Sequence, residues 1–166
     1  MKGTTEGETN EPLMHDALNA EKERIQRLFQ GSGDEDPSVV REEMRNLMVE
    51  KAFMFRSKEG LDEAKAKLRQ LKSRLVHLRP IAGGNIYNLD LIRAIELGEM
   101  LDLSEVIVAS AISREESRGS HVRLDFPKRD DARFLKHTLA CKRPDGPRIE
   151  FSPVTITKYQ PEERKY

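Results

Sequence analysis

The chain has 166 residues, which is enough for one domain with a substantial core. Its 29 basic and 29 acidic side chains give a formal net charge of zero, which argues against a general nucleic-acid-binding protein, because such proteins normally carry a basic excess. Charged residues make up 35% of the chain and aromatic residues 5%, a composition typical of a mainly helical domain with solvated outer faces.

Cysteine content and hydropathy place limits on the compartment. The single cysteine, Cys141, excludes a disulfide framework within one chain, and a structural zinc site would need ligands from elsewhere. No uninterrupted apolar run approaches the ~20 residues that span a bilayer, and residues 1–10 lack the apolar core of a secretory signal. We therefore expect a soluble intracellular chain without a direct membrane span, in the cytoplasm or an organelle matrix.

The N-terminal part of the chain predicts a linker followed by a helix. Residues 1–10 are polar and are predicted to be a disordered linker. A first helix is predicted to begin near Glu11-Pro12, since proline is tolerated in the first turn, and to end at Gly31-Ser32-Gly33. Its apolar side consists of Leu13, Met14, Ala17, Leu18, Ile25, Leu28 and Phe29.

Two more helices follow with clear start signals. Asp36 is predicted to cap a second helix that begins at Pro37, and Ser57 to cap a third. The second helix carries an apolar stripe made of Val40, Met44, Leu47, Met48 and Phe55. The third carries a strict three-four seam made of Leu61, Ala64, Leu68, Leu71, Leu75 and Leu78. Together they predict an antiparallel three-helix bundle of the spectrin-repeat type.

The remaining elements are a further helix and a hairpin. Residues 89–101 have a helical pattern, and residues 103–113 are almost wholly apolar or small, which predicts an additional helix buried on several sides. Residues 135–143 and 148–157 are strand-like, and Pro144-Asp145-Gly146-Pro147 between them predicts a β-hairpin. We therefore predict a mainly α fold with a helical bundle domain at residues 11–118. Residues 119–166 supply a clasp loop, the β-hairpin and a C-terminal tail packed on the same domain.

The most informative segment is residues 114–137, here named the clasp. Between Arg114 and Arg133 it carries six basic and five acidic side chains. Such a mixture has little net field for attracting a free anion, but it suits a network of Arg–carboxylate pairs that fixes the shape of a loop. We interpret the clasp as a docking element for something outside this domain. The candidate docking residues are Arg118, His121, Arg123, Asp125, Arg129, Asp130 and Asp131.

Three more specific chemical interpretations have less support in the sequence than a docking element has. Ser117, His121 and Asp125 have no nucleophile turn or oxyanion loop around them, so a hydrolase triad is disfavoured. A metal site built from His121 and His137 with Asp130 or Asp131 matches no known ligand spacing, and nearby arginines would repel a cation. A third candidate, Gly83-Gly84, lacks the preceding strand and following Lys-Ser/Thr of a phosphate loop. We predict no catalytic, cofactor-binding or metal-binding residue in this chain.

The clasp also resembles a known family. The string Arg114-x-Glu116-Ser117-Arg118-Gly119-x-His121-x-Arg123-x-Asp125-x-Pro127-x-Arg129-Asp130-Asp131, followed by Phe134 and Lys136-His137-Thr138, resembles the C-terminal signature of the succinate dehydrogenase/fumarate reductase flavoprotein family. The related L-aspartate oxidases share part of it. The similarity extends from about Ala20 to Tyr166. It includes the runs Tyr87–Leu91, Ala94–Leu97, Pro153–Thr157 and Gln160-Pro161-x-x-Arg164-x-Tyr166.

This resemblance implies a division of labour within a longer subunit. In the family, FAD lies in an N-terminal domain and a capping domain closes over the dicarboxylate, with the catalytic, substrate-binding and flavin-attaching residues in those upstream domains. This chain would then be the C-terminal helical domain that braces the FAD domain during the interconversion of succinate and fumarate. By itself it would be inactive.

The resemblance also implies partners and a location. The expected partners are the flavin-binding and capping domains of the same subunit and an iron–sulfur subunit, with a membrane anchor beyond. The expected place is the cytoplasmic face of the inner membrane, or the matrix side in an organelle. The alternative is a stand-alone helical protein-interaction module, which a large exposed apolar patch would argue against.

Overall fold

The computed structural model of the protein describes residues 11–84, 86–159 and 161–162, so the predicted linker at 1–10 and the end of the tail lie outside the described residues. The helices are α1 (Glu11–Gln30), α2 (Pro37–Lys51), α3 (Lys58–Arg74), α4 (Leu89–Ser113) and the single turn α5 (Asp131–Phe134). The strands are β1 (Phe55–Arg56), β2 (Val122–Arg123), β3 (Lys136–Cys141) and β4 (Arg148–Pro153). A 3₁₀ turn at Leu75–His77 extends α3.

Side-chain caps set the helix starts. The Asp36 carboxylate accepts a hydrogen bond from the Ser38 amide at 2.8 Å, and the Ser57 hydroxyl accepts one from the Gly60 amide at 3.1 Å. Each of these bonds satisfies an amide that has no partner within the helix. The predicted starts of the second and third helices are confirmed.

The core lies between α2, α3 and α4. The α3 seam supplies Leu61, Ala64, Leu68 and Leu71, each with 0% exposure, and Leu78 follows at 4%. Against it pack Val40 and Met44 from α2, together with Ala94, Leu97, Leu101, Val108 and Ala111 from α4. The mainly α fold with a helical bundle and a C-terminal hairpin is confirmed.

The position of α1 and α4 in the bundle differs from the expected arrangement. The segment from residue 89 to 113 is one continuous helix of 25 residues, and it serves as the third helix of the core. By contrast α1 has no buried residue and lies at the edge, where Ile25 and Phe29 line a shallow cavity with Leu91. The physical reason is that Glu21 and Lys22 interrupt the apolar stripe of α1, whereas α4 is apolar around most of its circumference.

α4 packs against α1, α2, α3 and both strands of the hairpin, but one apolar stripe of it stays exposed. Val108 and Ala111 are buried against the bundle, but Leu103 is 59% exposed and Ile107 40% exposed. Among the described residues, every helix falls short of the length and apolarity needed to span a membrane.

The C-terminal hairpin forms as predicted, with shorter strands. β3 and β4 pair antiparallel from Lys136↔Pro153 to Cys141↔Arg148. In the turn, Gly146 adopts a φ of +118°, a conformation that side-chain-bearing residues rarely take, and its amide donates to the Arg143 carbonyl at 3.2 Å.

A second, parallel strand pair has no counterpart in the sequence-based prediction. Phe55 pairs with Val122, and Arg56 with Arg123, so that β1 and β2 join the α2–α3 loop to the clasp. The prediction that Phe55 continues the stripe of the second helix is wrong, because α2 ends at Lys51 and Phe55 lies in β1 with 64% exposure.

Candidate interdomain docking site

The clasp reverses direction directly after α4. The Arg118 amide donates to the His121 carbonyl at 2.8 Å and the His121 amide returns a bond to the Arg118 carbonyl at 3.0 Å, closing a tight turn. Gly119 occupies this turn with a φ of +58°, where a side chain would strain the backbone. Farther along, the Ser117 amide donates to the Lys128 carbonyl at 3.0 Å. The turn directs the rest of the clasp back over the C-terminal end of α4.

Glu116 is the centre of the clasp. Its side chain has 0% exposure and accepts hydrogen bonds from Arg114 at 2.7 Å, from Arg118 at 2.9 Å and from the amide of Asp130 at 3.0 Å. Burial raises the pKa of the Glu116 carboxyl, but the bonds from Arg118, the Asp130 amide and Arg114 outweigh burial and leave the pKa below its ordinary value. A buried carboxylate with this many charge-assisted donors fixes three parts of the loop at once.

Arg123 connects the clasp to the end of α4. It is 2% exposed, and its guanidinium forms a two-pronged pair with Asp125 at 2.8 and 2.7 Å. A third nitrogen, Nη1, donates to the carbonyls of Ala111 at 2.9 Å and Arg114 at 3.1 Å. A cation bonded to the last carbonyls of a helix also complements the helix dipole. The hydrogen bond from Arg123 lowers the pKa of Asp125.

His121 lies between three arginines. Its Nδ1 is 2.6 Å from Nη1 of Arg56, and its Nε2 is 3.2 Å from the carbonyl oxygen of Arg114. Burial lowers the pKa of His121, and the positive charges of Arg56, Arg123 and Arg114 lower it further, against the opposing hydrogen bond to the Arg114 carbonyl. The imidazole is therefore held neutral, with Nδ1 as acceptor and Nε2 as donor.

Asp130 and Asp131 complete the outer part of the network. Asp131 accepts from Arg129 at 2.7 Å and from Arg118 at 2.6 Å, and these two bonds, with Arg129 the stronger, lower its pKa to about 2. Asp130 caps α5 by accepting from the Arg133 amide at 3.0 Å. All seven candidate docking residues therefore have identified partners within the clasp or in the segments beside it.

The hydrolase and metal interpretations gain no geometric support. The Ser117 hydroxyl donates to the Phe126 carbonyl at 2.9 Å and accepts from the Arg123 amide at 2.9 Å, so it is not bonded to an imidazole. Asp125 pairs with Arg123 and not with His121. In the part of the chain that the structure describes, no group of three His, Cys, Asp or Glu side chains is arranged to hold a metal ion.

Two members of the network were missing from the candidate residues. Besides Glu116, Arg114 joins the clasp to the hairpin, where it donates to the Lys136 carbonyl at 3.1 Å and to the Thr138 hydroxyl at 2.7 Å. Its guanidinium also lies 5.6 Å from the ring centroid of Phe134. One sequence signal was present, because Glu116 is flanked two residues away on each side by an arginine.

An apolar groove, here named the Met groove, lies beside the clasp between α2, α4 and β1. Its volume is about 590 Å³, and Ser120 of the clasp lines one edge. Four methionines contribute to its walls, together with aliphatic and aromatic side chains: Met44, Met48, Met54, Met100, Val49, Phe53 and Ile107. Phe53 is 66% exposed and Val49 63% exposed. The groove is therefore an open apolar surface adjoining an ordered polar loop.

A family model and individual sequence relatives both match this chain. Residues 41–166 match the family model described as fumarate reductase flavoprotein C-term. The fumarate reductase flavoprotein subunit of Haemophilus influenzae is 42% identical over 144 residues, covering 86% of this chain and 24% of that protein. The succinate dehydrogenase flavoprotein subunit of Rickettsia bellii is 33% identical, covering 89% of this chain and 25% of that protein.

Solved structures agree with the sequence relatives. The FrdA chain of E. coli quinol fumarate reductase superposes with a TM-score of 0.88 at 36% identity, covering 96% of this chain and 28% of that chain. A quinol-fumarate reductase with menaquinol molecules gives a TM-score of 0.85 at 36% identity, covering 94% of this chain and 28% of that chain. The chain thus spans about a quarter of the length of these relatives. It belongs to the fumarate reductase/succinate dehydrogenase flavoprotein family and corresponds to the C-terminal domain of the flavoprotein subunit.

Proposed function

We propose that this domain braces the FAD-binding part of a flavoprotein subunit that interconverts succinate and fumarate. The observation that carries the proposal is the Met groove, an apolar surface left uncovered in a chain that spans about a quarter of its relatives' length. Exposed apolar patches mark surfaces that bind another protein unit, a membrane or a ligand, and the occupant proposed here is another folded unit. The relatives are named flavoprotein subunits, so that unit carries FAD in the intact protein.

The chemistry of the Met groove suits docking against a second domain. Methionine is flexible and polarizable and adapts to the shape of a partner, and Met48, Met54 and Met100 all line the groove. Next to it, Leu124 of the clasp is 63% exposed and its amide donates to the Arg56 carbonyl at 2.8 Å. The flavin-binding and capping domains of the same subunit are the proposed occupants of this combined surface.

The clasp supplies rigidity and a polar rim to that surface. Glu116 and Arg123 are buried and fix the loop from inside, whereas the side chains of Asp130 and Asp131 are 34% and 42% exposed. A rim of paired charges around an apolar centre is the ordinary anatomy of a protein interface. In this proposal the seven docking candidates hold the shape of the interface, and their exposed members reach the other domain.

The partners beyond the subunit follow from the same family. The solved relatives are named as quinol-fumarate reductases, which supports assembly into a multi-subunit complex. We propose that electrons leave FAD through an iron–sulfur subunit and that the complex is anchored to the membrane at its cytoplasmic or matrix face. The C-terminal domain itself performs no step of the reaction.

A matched pair of variants tests the bracing role in the intact subunit. Val49 lines the Met groove with 63% exposure, and Val76 lies outside it with 76% exposure. Val49→Glu places a charge in the proposed interface, so we expect reduced FAD content and a lower Tm of the intact subunit, whereas Val76→Glu changes neither. Both variants of the 166-residue chain alone should keep the parental Tm, because both side chains are exposed there. Equal behaviour of the two variants in the intact subunit would contradict the proposal.

A further inference from the structure

On the side of the domain formed by α3, α4 and the hairpin turn there is a second cleft, with a volume of about 380 Å³. Lys65 and Arg69 stand on one wall, one turn apart on α3. Arg143 and Arg148, at the two ends of the hairpin turn, stand on the other wall. Four cationic side chains therefore line one small concavity between two elements.

Within the described ranges, the basic side chains of α3 that line the cleft lack carboxylate partners, unlike the other basic side chains of that helix. Four of the six basic side chains of α3 have carboxylate partners, with Lys58 on Asp62, Lys67 on Glu43, Lys72 on Glu105 and Arg74 on Glu35. The other two are Lys65 and Arg69, and both line the cleft without an ion pair to any described residue. Arg143 on the opposite wall likewise has no ion pair within the described part of the chain.

The carboxylates in the cleft do not balance these cations. Glu105 lines it, but its carboxylate is 2.6 Å from Nζ of Lys72 and its side chain is 12% exposed. Arg148 is partly engaged by Glu150 at 2.9 Å. Asp145 remains as one carboxylate against the three unpaired cations. The cleft therefore keeps an excess of positive charge although the whole chain is neutral.

The floor of the cleft is apolar, whereas its walls are cationic. Ala109 of α4 forms the surface of the floor, with the fully buried Val108 behind it, and Pro147 closes one side. Small-molecule sites typically combine a concave apolar surface with a few convergent polar groups, in volumes of roughly 300–1,000 Å³. An apolar floor between cationic walls fits a compact molecule that carries anionic groups at both ends.

We propose that this cleft binds a small organic anion with at least two carboxylate or phosphate groups. One anionic group contacts Lys65 and Arg69, the other contacts Arg143, and the carbon skeleton lies on Ala109 and Pro147. This binding is independent of docking at the Met groove, because the cleft and the groove both adjoin α4 but share no lining residue. It adds a ligand site to a domain whose proposed role is otherwise structural.

Calorimetric titration of the 166-residue chain with citrate and with inorganic diphosphate, at constant ionic strength, tests the proposal. Saturable binding of one equivalent of either probe is expected, and the tighter probe identifies the favoured anionic group. Arg69→Ala and Arg143→Ala should each weaken binding by about tenfold, the usual effect of losing one charge-assisted hydrogen bond. Arg45→Ala is the matched control, since Arg45 is an exposed helix arginine paired with Glu42 outside the cleft, and it should leave binding unchanged.

Three results would overturn the proposal. The first is an affinity for both probes weaker than about 1 mM. The second is an equal loss in Arg45→Ala, which would indicate nonspecific attraction to surface charge. The third is binding of a hexaglutamate peptide without binding of either small probe. Circular dichroism of each variant checks that the helical fold is retained, and Arg69→Gln replaces Arg69→Ala if the alanine variant fails to fold.

Discussion

Arg56 and His121, which are 65 positions apart, are joined by a contact of 2.6 Å between Nη1 and Nδ1. Arg56 also donates through Nε to the Ala52 carbonyl at 2.9 Å, so it links the end of α2 to the clasp. Because a guanidinium has no acceptor, Nδ1 of His121 must accept, and the ring proton lies on Nε2. The pair therefore fixes both the tautomer and the charge of the imidazole.

The first prediction concerns the pH dependence of this contact. The pKa of His121 is lowered from 6.5 in the folded chain, so below pH 6.5 the unfolded chain binds more protons. The stabilisation from neutral His121 is complete above pH 6.5 and is lost as the pH falls through the folded-state pKa. Urea unfolding between pH 7 and pH 4 should show this loss in the parental chain and less of it in His121→Gln.

The control for that prediction is His137→Gln, which removes an exposed imidazole outside the contact. Its pH profile should match the parental profile. Nitrogen NMR at pH 7 should find His121 protonated on Nε2 alone. A His121 protonated on Nδ1, or identical pH profiles for the two histidine variants, would contradict this assignment of the Arg56 contact.

The second prediction concerns the buried centre of the clasp. Glu116→Gln removes a fully buried charge while Arg114 and Arg118 stay in place, so we expect the free energy of unfolding to fall by about 3 kcal/mol. Glu115→Gln is the matched control, because its partner Arg133 is 54% exposed, and the expected loss is below about 1 kcal/mol. If urea unfolding shows equal losses of unfolding free energy in the two variants, the central role of Glu116 is contradicted.

The third prediction concerns the α3 seam. Leu68 has 0% exposure, and Leu68→Ala should lower the free energy of unfolding by about 3 kcal/mol, since it removes buried apolar surface and leaves a cavity. Leu103→Ala makes the same chemical change at a residue that is 59% exposed, and should alter the free energy by about 0.5 kcal/mol or less. A small effect at Leu68 would mean that α3 is not central to the core.

The fourth prediction separates docking from internal support. Arg118→Ala removes bonds to Glu116 and Asp131 within the clasp, so some loss of stability is expected in the chain alone. In the intact flavoprotein subunit the loss of Tm should be larger and FAD retention should fall, because a loosened clasp no longer presents its docking surface. Unchanged Tm and FAD content in the intact subunit, or equal losses of Tm in both contexts, would count against a docking role.

Local patterns made much of the fold predictable. The caps at Asp36 and Ser57 depend on residue type within one turn and lie where predicted. The predicted seam lies on α3 at Leu61, Ala64, Leu68 and Leu71, but the helix ends at Arg74, before Leu75 and Leu78. The hairpin followed from Asp145-Gly146 for the same reason. The network character of the clasp was also predictable, because alternating basic and acidic side chains in a loop pair with each other.

Features that depend on distant segments were not predictable. The pairing of β1 with β2 involves two residues on each side, and no local pattern specifies where strands this short will pair. The central place of Glu116 depends on the turn at Gly119, which brings the amide of Asp130 to its carboxylate. The sequence of α1 alone did not show that this helix would be peripheral. Its position depends on α4, which is more apolar and packs in the core instead.

The measurement that tests the central claim most directly is immunoprecipitation from source-cell extract with an antibody raised against this chain. If the chain braces the FAD domain of a flavoprotein subunit, the captured polypeptide will be several times larger than 19.1 kDa and will carry FAD. A captured polypeptide of 19.1 kDa alone, without flavin, would contradict the claim and favour a stand-alone interaction module.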